Sequence, residues 1–153
     1  MGEIDARLEA LGITLPEPPV PVASYVPFVI SGAQVFVSGQ VSMGSDGLIT
    51  GKLGDGMSID AGKDAAQICA LNLIAQLKSA CGGELDRVRR VVKLGGFVNC
   101  TQDFTDQPAV INGASDLFLE VFGDVGRHAR AAVGAPSLPL GAAVEVDGIF
   151  EIA

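Results

Sequence analysis

Four charged residues near the C-terminus have types and a spacing that could do chemistry. Arg130 opens one strand-like run, and Glu145, Asp147 and Glu151 occupy odd positions of the last such run. Side chains of a strand alternate faces with period two, so the three carboxylates share one face. Like charges stacked in this way repel unless they are solvated or paired. The planar fork of an arginine grips a carboxylate through two parallel hydrogen bonds, so an arginine beside this face could receive a small anionic substrate. The same charge pattern also fits a solvated strand face with a surface ion pair.

Other reactive constellations are missing. No GxSxG elbow occurs, and His128, the single histidine, has no sequence signature tying it to a nucleophile; beside Arg127 and Arg130 it reads as a surface or strand-start residue. The segment Gly56-Met-Ser-Ile-Asp-Ala-Gly62-Lys63 resembles a phosphate loop only loosely. Its glycines are one residue too far apart, and Asp64 stands where a hydroxyl should hold magnesium. No GxGxxG follows a strand, so no dinucleotide cofactor is expected. Cys69, Cys81 and Cys100 lie 12 and 19 residues apart without a CxxC pair, which argues against a metal site and for small buried thiols in a reducing compartment.

Composition narrows the partners. The 153 residues carry 10 basic and 18 acidic side chains, a net charge of −8. Nucleic-acid affinity needs clustered Lys and Arg, and single-strand stacking needs aromatic platforms; seven Phe, one Tyr and no Trp supply neither. With 48% hydrophobic residues the chain is no disordered segment, and its length suits one domain. Residues 18–45 carry no charge, but Pro18, Pro19, Pro21 and Pro27 with Gly32, Gly39 and Gly44 would break a membrane helix. The charged start, MGEIDARLEALG, lacks the apolar centre of a signal peptide, and a cytoplasmic protein is expected.

The elements that must position these residues follow from periodicity. Ile4, Leu8 and Leu11 predict a short helix closed by Gly12, followed by a proline-rich arm over LPEPPVPV. Phe28–Ile30 and Val35–Val37 flank a glycine turn and predict a hairpin, and a glycine-dense loop with one short strand around residues 48–50 comes next. A long helix is expected from about Asp60 to Ala80, started by Ser58 or Asp60 and stopped by Gly82-Gly83. Leu71 and Ile74 interrupt its polar line, and the N-terminal helix is expected to cover them. Val91–Val98 predicts a central strand bulged at Gly95-Gly96. A second helix, with Pro108 in its first turn and Val110, Ala114, Leu117 and Val121 as its buried stripe, ends at Gly123. Strands around 129–133 and 142–152 complete an α+β plan with helices on one face of a sheet.

The stretch HARAAVGAPSLPLGAAVEVDGIFEI, residues 128–152, resembles the C-terminal signature of the Rid/YjgF family, the reactive enamine/imine deaminases also known as endoribonuclease L-PSP-like proteins. Tyr25-Val26, Val37-Ser38-Gly39-Gln40 and Val110-Ile111-Asn112 fit the family pattern in the same order. The resemblance implies a chorismate-mutase-like α+β fold, a six-stranded mixed sheet with two helices on one face, here with a short N-terminal helix. It divides the chain into an N-terminal helix and proline-rich arm (residues 1–24) and the family domain (residues 25–153).

By the same resemblance, Arg130 would grip a substrate carboxylate and Glu145 would position or activate the attacking water. Tyr25, Ser38, Gly39 and Asn112 would line the pocket, and the backbone N–H of Ala132 would add a contact. The implied activity is hydrolysis of 2-iminobutanoate or 2-iminopropanoate to a 2-keto acid and ammonia, without cofactor or metal, in a homotrimer with sites between subunits. A metabolite-binding or chaperone-like family member is the alternative, and an endoribonuclease, which the −8 charge disfavours, is a third. The family often has Cys or another polar residue where this chain has Ala132, and residues 1–24 extend the minimal pattern. The chain thus resembles a divergent subgroup.

Overall fold

A computed structural model describes all 153 residues. Helix α1 spans Glu3–Ala10, and the proline arm leads to strands β1 (Phe28–Ser31) and β2 (Gln34–Val41). Four two-residue strands lie in the glycine-dense loop: β3 (Met43–Gly44), β4 (Gly47–Leu48), β5 (Lys52–Leu53) and β6 (Gly56–Met57). Then come α2 (Ile59–Ala80), β7 (Val88–Asn99), α3 (Gln107–Phe122), β8 (Ala129–Ala135) and β9 (Val144–Ile152). The principal sheet has five strands in the order β1-β2-β9-β7-β8, and the short strands form two separate ribbons. It is mixed: β8 runs parallel to β7, and every other pairing is antiparallel. A parallel pair needs a crossover, and α3 supplies it between β7 and β8.

Local chemistry sets the element ends. Ser58 Oγ accepts the Ala61 N–H at 3.1 Å and starts α2, and Gly83 N–H donates to Lys78 O at 2.8 Å after α2 has ended. The α3 stripe of Val110, Ala114, Leu117 and Val121 is buried as its periodicity predicts. Both long helices cover the sheet face formed by Val144, Val146, Phe150 and Ile152, all buried. Their crossing is close: a side chain at Gly113 of α3 would collide with the Lys63 carbonyl of α2.

One expectation is corrected. The bulges of β7 fall at Arg89 and Val92, where register with β9 shifts, whereas Gly95 and Gly96 pair regularly. The glycines serve close packing instead: the Asp147 carboxylate occupies the space a Gly95 side chain would need, and Ile111 lies 2.6 Å from where a Gly96 Cβ would stand. Helix α1 packs against α3 and the Leu85–Arg87 turn, and Gln76 Nε2 of α2 donates to Pro19 O of the proline arm at 2.6 Å. Ile4 and Leu8 join the main hydrophobic cluster, and Asp5 meets Lys78 at 2.9 Å.

No helix is long and apolar enough to cross a membrane.

Candidate active site

Arg130 lies in β8 opposite Leu94 of β7, on the sheet face that carries the helices. Its guanidinium reaches α3, where Nη1 donates to Asn112 Oδ1 at 2.8 Å and to Ser115 Oγ at 3.2 Å. Nη2 donates to the Pro108 carbonyl at 3.4 Å, a long bond in the first turn of the same helix. An arginine has five N–H donors, so one on Nε and one on Nη2 remain. Nε has no partner and Nη2 only this long bond, and the Nε–Nη2 edge of a guanidinium has the geometry that takes both oxygens of a carboxylate. Ala132 follows on the same face, half-buried against the core opposite Gly96.

The structure adds two residues to this cluster that the sequence did not single out. His128 Nε2 lies 2.8 Å from Ser115 Oγ, and His128 Nδ1 lies 2.6 Å from the Gly126 carbonyl. The Phe118 ring meets the imidazole edge-on, with centroids 6.3 Å apart. His128 stands directly before β8, as a strand-start residue, and it is held on three sides. Its only signal in the sequence was the spacing of two from Arg130. Asn112, Ser115, Asp116, Leu119, Arg127, His128 and Arg130 line one open cleft of about 300 Å³.

The other expected residues gather elsewhere. Glu145 pairs in register with Val41 of β2 and Phe97 of β7, on the sheet face away from the helices. Register between β2 and β9 shifts between Val37 and Gln40, so Ser38 and Gly39 form a bulge. The Glu145 carboxyl lies over Gly39, where a Cβ would stand 3.0 Å from Glu145 Cδ. Ser38 Oγ donates to Val26 O at 2.7 Å and straps the segment carrying Tyr25, itself more than half exposed, to the bulge. Burial raises the Glu145 carboxyl above its ordinary value, and the Asp147 charge adds to the shift. Burial also raises Asp147, against the Gly95 amide and the Lys93 charge.

The predicted residues thus form two half-sites. Arg130, Asn112 and Ala132 lie on the helix side, whereas Glu145, Ser38, Gly39 and the Tyr25 segment lie on the open side. One chain does not bring Arg130 and Glu145 together. The open face is also apolar: Val29, Phe36 and Val133 are each roughly half exposed.

The family model described as "YjgF/chorismate_mutase-like, putative endoribonuclease" matches residues 5–151. Protein TCP17 of Trypanosoma cruzi is 51% identical, over 99% of this chain and 95% of that one. The crystal structure of Atu1372 from Agrobacterium tumefaciens superposes with a TM-score of 0.91 at 49% identity, covering 98% of this chain and 92% of its own. A 2-iminobutanoate/2-iminopropanoate deaminase of Dermatophagoides farinae is 30% identical over 92% of this chain and 94% of its own.

Proposed function

The chain belongs to the YjgF/chorismate mutase-like family, and we propose that it hydrolyses small 2-imino acids to 2-keto acids and ammonia. The observation that carries this reading is the Arg130 guanidinium, fixed through Asn112 and Ser115 with its Nε–Nη2 edge left for a carboxylate. The deaminase relative supports the reaction class.

The reaction needs little from the protein. A protonated 2-imine is already electrophilic at C2, so fixing its carboxylate and placing a water near that carbon removes much of the barrier. Water adds to C2 while a base takes one of its protons, giving a carbinolamine. Its nitrogen is then protonated, the C–N bond breaks with ammonia leaving, and the remaining hydroxyl loses its proton to form the ketone. Glu145 is the proposed base or water-holder, and its raised carboxyl makes it the better proton acceptor when ionised.

Because Arg130 and Glu145 face apart within one chain, the proposal includes assembly. In a homotrimer whose open faces turn inward, the β8 edge of one copy would border the open face of the next, so that Arg130 at that edge could meet Glu145 of its neighbour. The exposed Val29, Phe36 and Val133 give that assembly an apolar driving force. Tyr25, Ser38 and Gly39 then line the Glu145 side of the pocket, and Asn112 and Ala132 line the Arg130 side.

A second reading is favoured by the same separation. The Arg130 half-site is complete within one chain and could bind a 2-keto acid without turning over an imine. A single experiment separates the two: imines generated in situ by a dehydratase or an amino-acid oxidase, with ammonia release followed. Deamination faster than the spontaneous rate, lost in Arg130→Ala with the assembly intact, is expected. Spontaneous rates with wild type, together with 2-keto acid binding, would leave only the second reading.

A further inference from the structure

We propose that Ser115 and His128 are positioning residues of the Arg130 site, coupling the charge on the imidazole to the site's affinity for a carboxylate. The inference rests on reading Arg130 as the carboxylate receptor, and it names groups which that reading leaves idle.

The hydrogen-bond roles follow from one partner. The Gly126 carbonyl can only accept, so the proton on Nδ1, 2.6 Å away, is present whether the ring is neutral or charged. The neutral ring therefore has a bare Nε2, which must accept the Ser115 hydroxyl proton across 2.8 Å. A serine within a helix commonly returns its proton to a carbonyl one turn earlier. Here the proton goes to His128 instead, which turns an oxygen lone pair of Ser115 toward Arg130 Nη1 at 3.2 Å. Asn112 Oδ1 holds the other Nη1 proton at 2.8 Å. The imidazole thus fixes the hydroxyl, and the hydroxyl and the amide together fix the plane of the fork.

Protonation of Nε2 rearranges this chain without breaking it. Ser115 Oγ then accepts from both His128 and Arg130, and its own proton turns elsewhere. A second positive charge now stands two hydrogen bonds from the guanidinium. A bound carboxylate offsets the repulsion between the two cations, so anion binding and His128 protonation favour each other.

The other charges around His128 are few. Asp116 of α3 and Arg127 of the segment before β8 line the same cleft. Asp124 of the preceding turn faces Arg127 at 3.6 Å. Arg7 of α1 reaches the end of α3 at Val121 O, and Lys93 of β7 lies beside Ala129 on the opposite face. None of these charges bridges the imidazole and Arg130; the neutral Ser115 hydroxyl links directly to both.

His128 is the sole histidine, so its ring C2 proton gives a single titrating NMR signal. Without ligand, Arg130→Gln removes a neighbouring cation and is expected to move the His128 midpoint up. An unmoved midpoint would overturn the coupling. With saturating 2-oxobutanoate, the wild-type signal is expected to move in the direction of tighter proton binding, and by linkage the affinity should tighten three- to tenfold between alkaline and acidic pH, a range of about 0.7 to 1.4 kcal/mol. Calorimetry should show that tightening in wild type and its loss in His128→Asn, whereas Ser115→Ala, which keeps both cations but no longer fixes the fork, should bind more weakly at every pH. Binding that leaves the midpoint unmoved overturns this proposal alone. Absence of binding at every pH overturns the carboxylate reading of Arg130 and the affinity link with it, while the ligand-free titration still decides the coupling.

Discussion

Arg130 and Glu145 stand on opposite faces of one sheet with strand β7 between theirs, so no side-chain rotation within one chain lets them meet. Two strand spacings alone separate their backbones by about 9–10 Å. A reaction that uses both must take them from different copies.

That relationship predicts complementation between two dead variants. Arg130→Ala and Glu145→Ala, each inactive alone, are refolded together in equal amounts. In a cyclic assembly with sites shared between neighbours, each residue is intact at half the positions, so about one quarter of the sites recover both. Activity approaching that share of wild type is expected. No recovery, with mixed assemblies demonstrated by mass spectrometry, would show that both residues act from one chain.

Glu145 also sets a pH dependence of stability. Its carboxyl is raised in the folded protein, burial being the main cause, so folding disfavours the ionised form. The native state then holds more protons than the unfolded one in the window above the ordinary carboxylate value, and stability falls as pH rises through it. Glu145→Gln removes this penalty. Its melting temperature should exceed that of wild type at neutral pH, with the gap closing as the pH drops below the ordinary carboxylate range. A gap that widens on acidification would contradict the assignment.

Asp86 shows the opposite sign. Its oxygens accept the Glu3 and Ile4 backbone N–H groups at 2.8 and 2.9 Å, capping α1 from across the sequence where Gly2 offers no side chain. These bonds hold its carboxyl below the ordinary value. The stabilisation is present above the unfolded-state value and is lost as pH falls through the folded one. Asp86→Ala should deprotect the amides of residues 3 and 4 in hydrogen exchange at neutral pH. Unchanged protection there would refute the cap.

The helix crossing gives a stability test away from the site. An alanine at Gly113 would press its Cβ into the Lys63 carbonyl, which belongs to the backbone of α2 and cannot turn aside. Overpacking of this kind costs up to about 3 kcal/mol, against a helix-propensity gain of about 1. Gly113→Ala should therefore lose about 2 kcal/mol in denaturant titration. A stabilised variant would mean that the helices do not approach so closely.

Much of the fold was legible because its signals are local. The period of Val110, Ala114, Leu117 and Val121, the Ser58 cap and the Gly82-Gly83 stop each depend on residues within a turn or two. The close packing at Gly95-Gly96 leaves no such local signal, for the opposite reason. A glycine pair in a strand marks either a bulge or a close approach, and only the Asp147 carboxylate and the Ile111 side chain, far away in sequence, select the second. The Asp86 cap, 83 residues from Glu3, left no local trace.

The same division runs through the candidate site. Sequence alone determined the strands that carry Arg130 and Glu145 and the parity of the carboxylates, because alternation along a strand is a property of the backbone. Only the tertiary structure decided that the two residues face apart, since this depends on strand order and on which side α2 and α3 cover. It also decided that His128 reaches Ser115 and Arg130, for α3 alone brings residues 112 and 115 against β8. Hydrogen-bond partners follow distance in space, and chain separation does not report it.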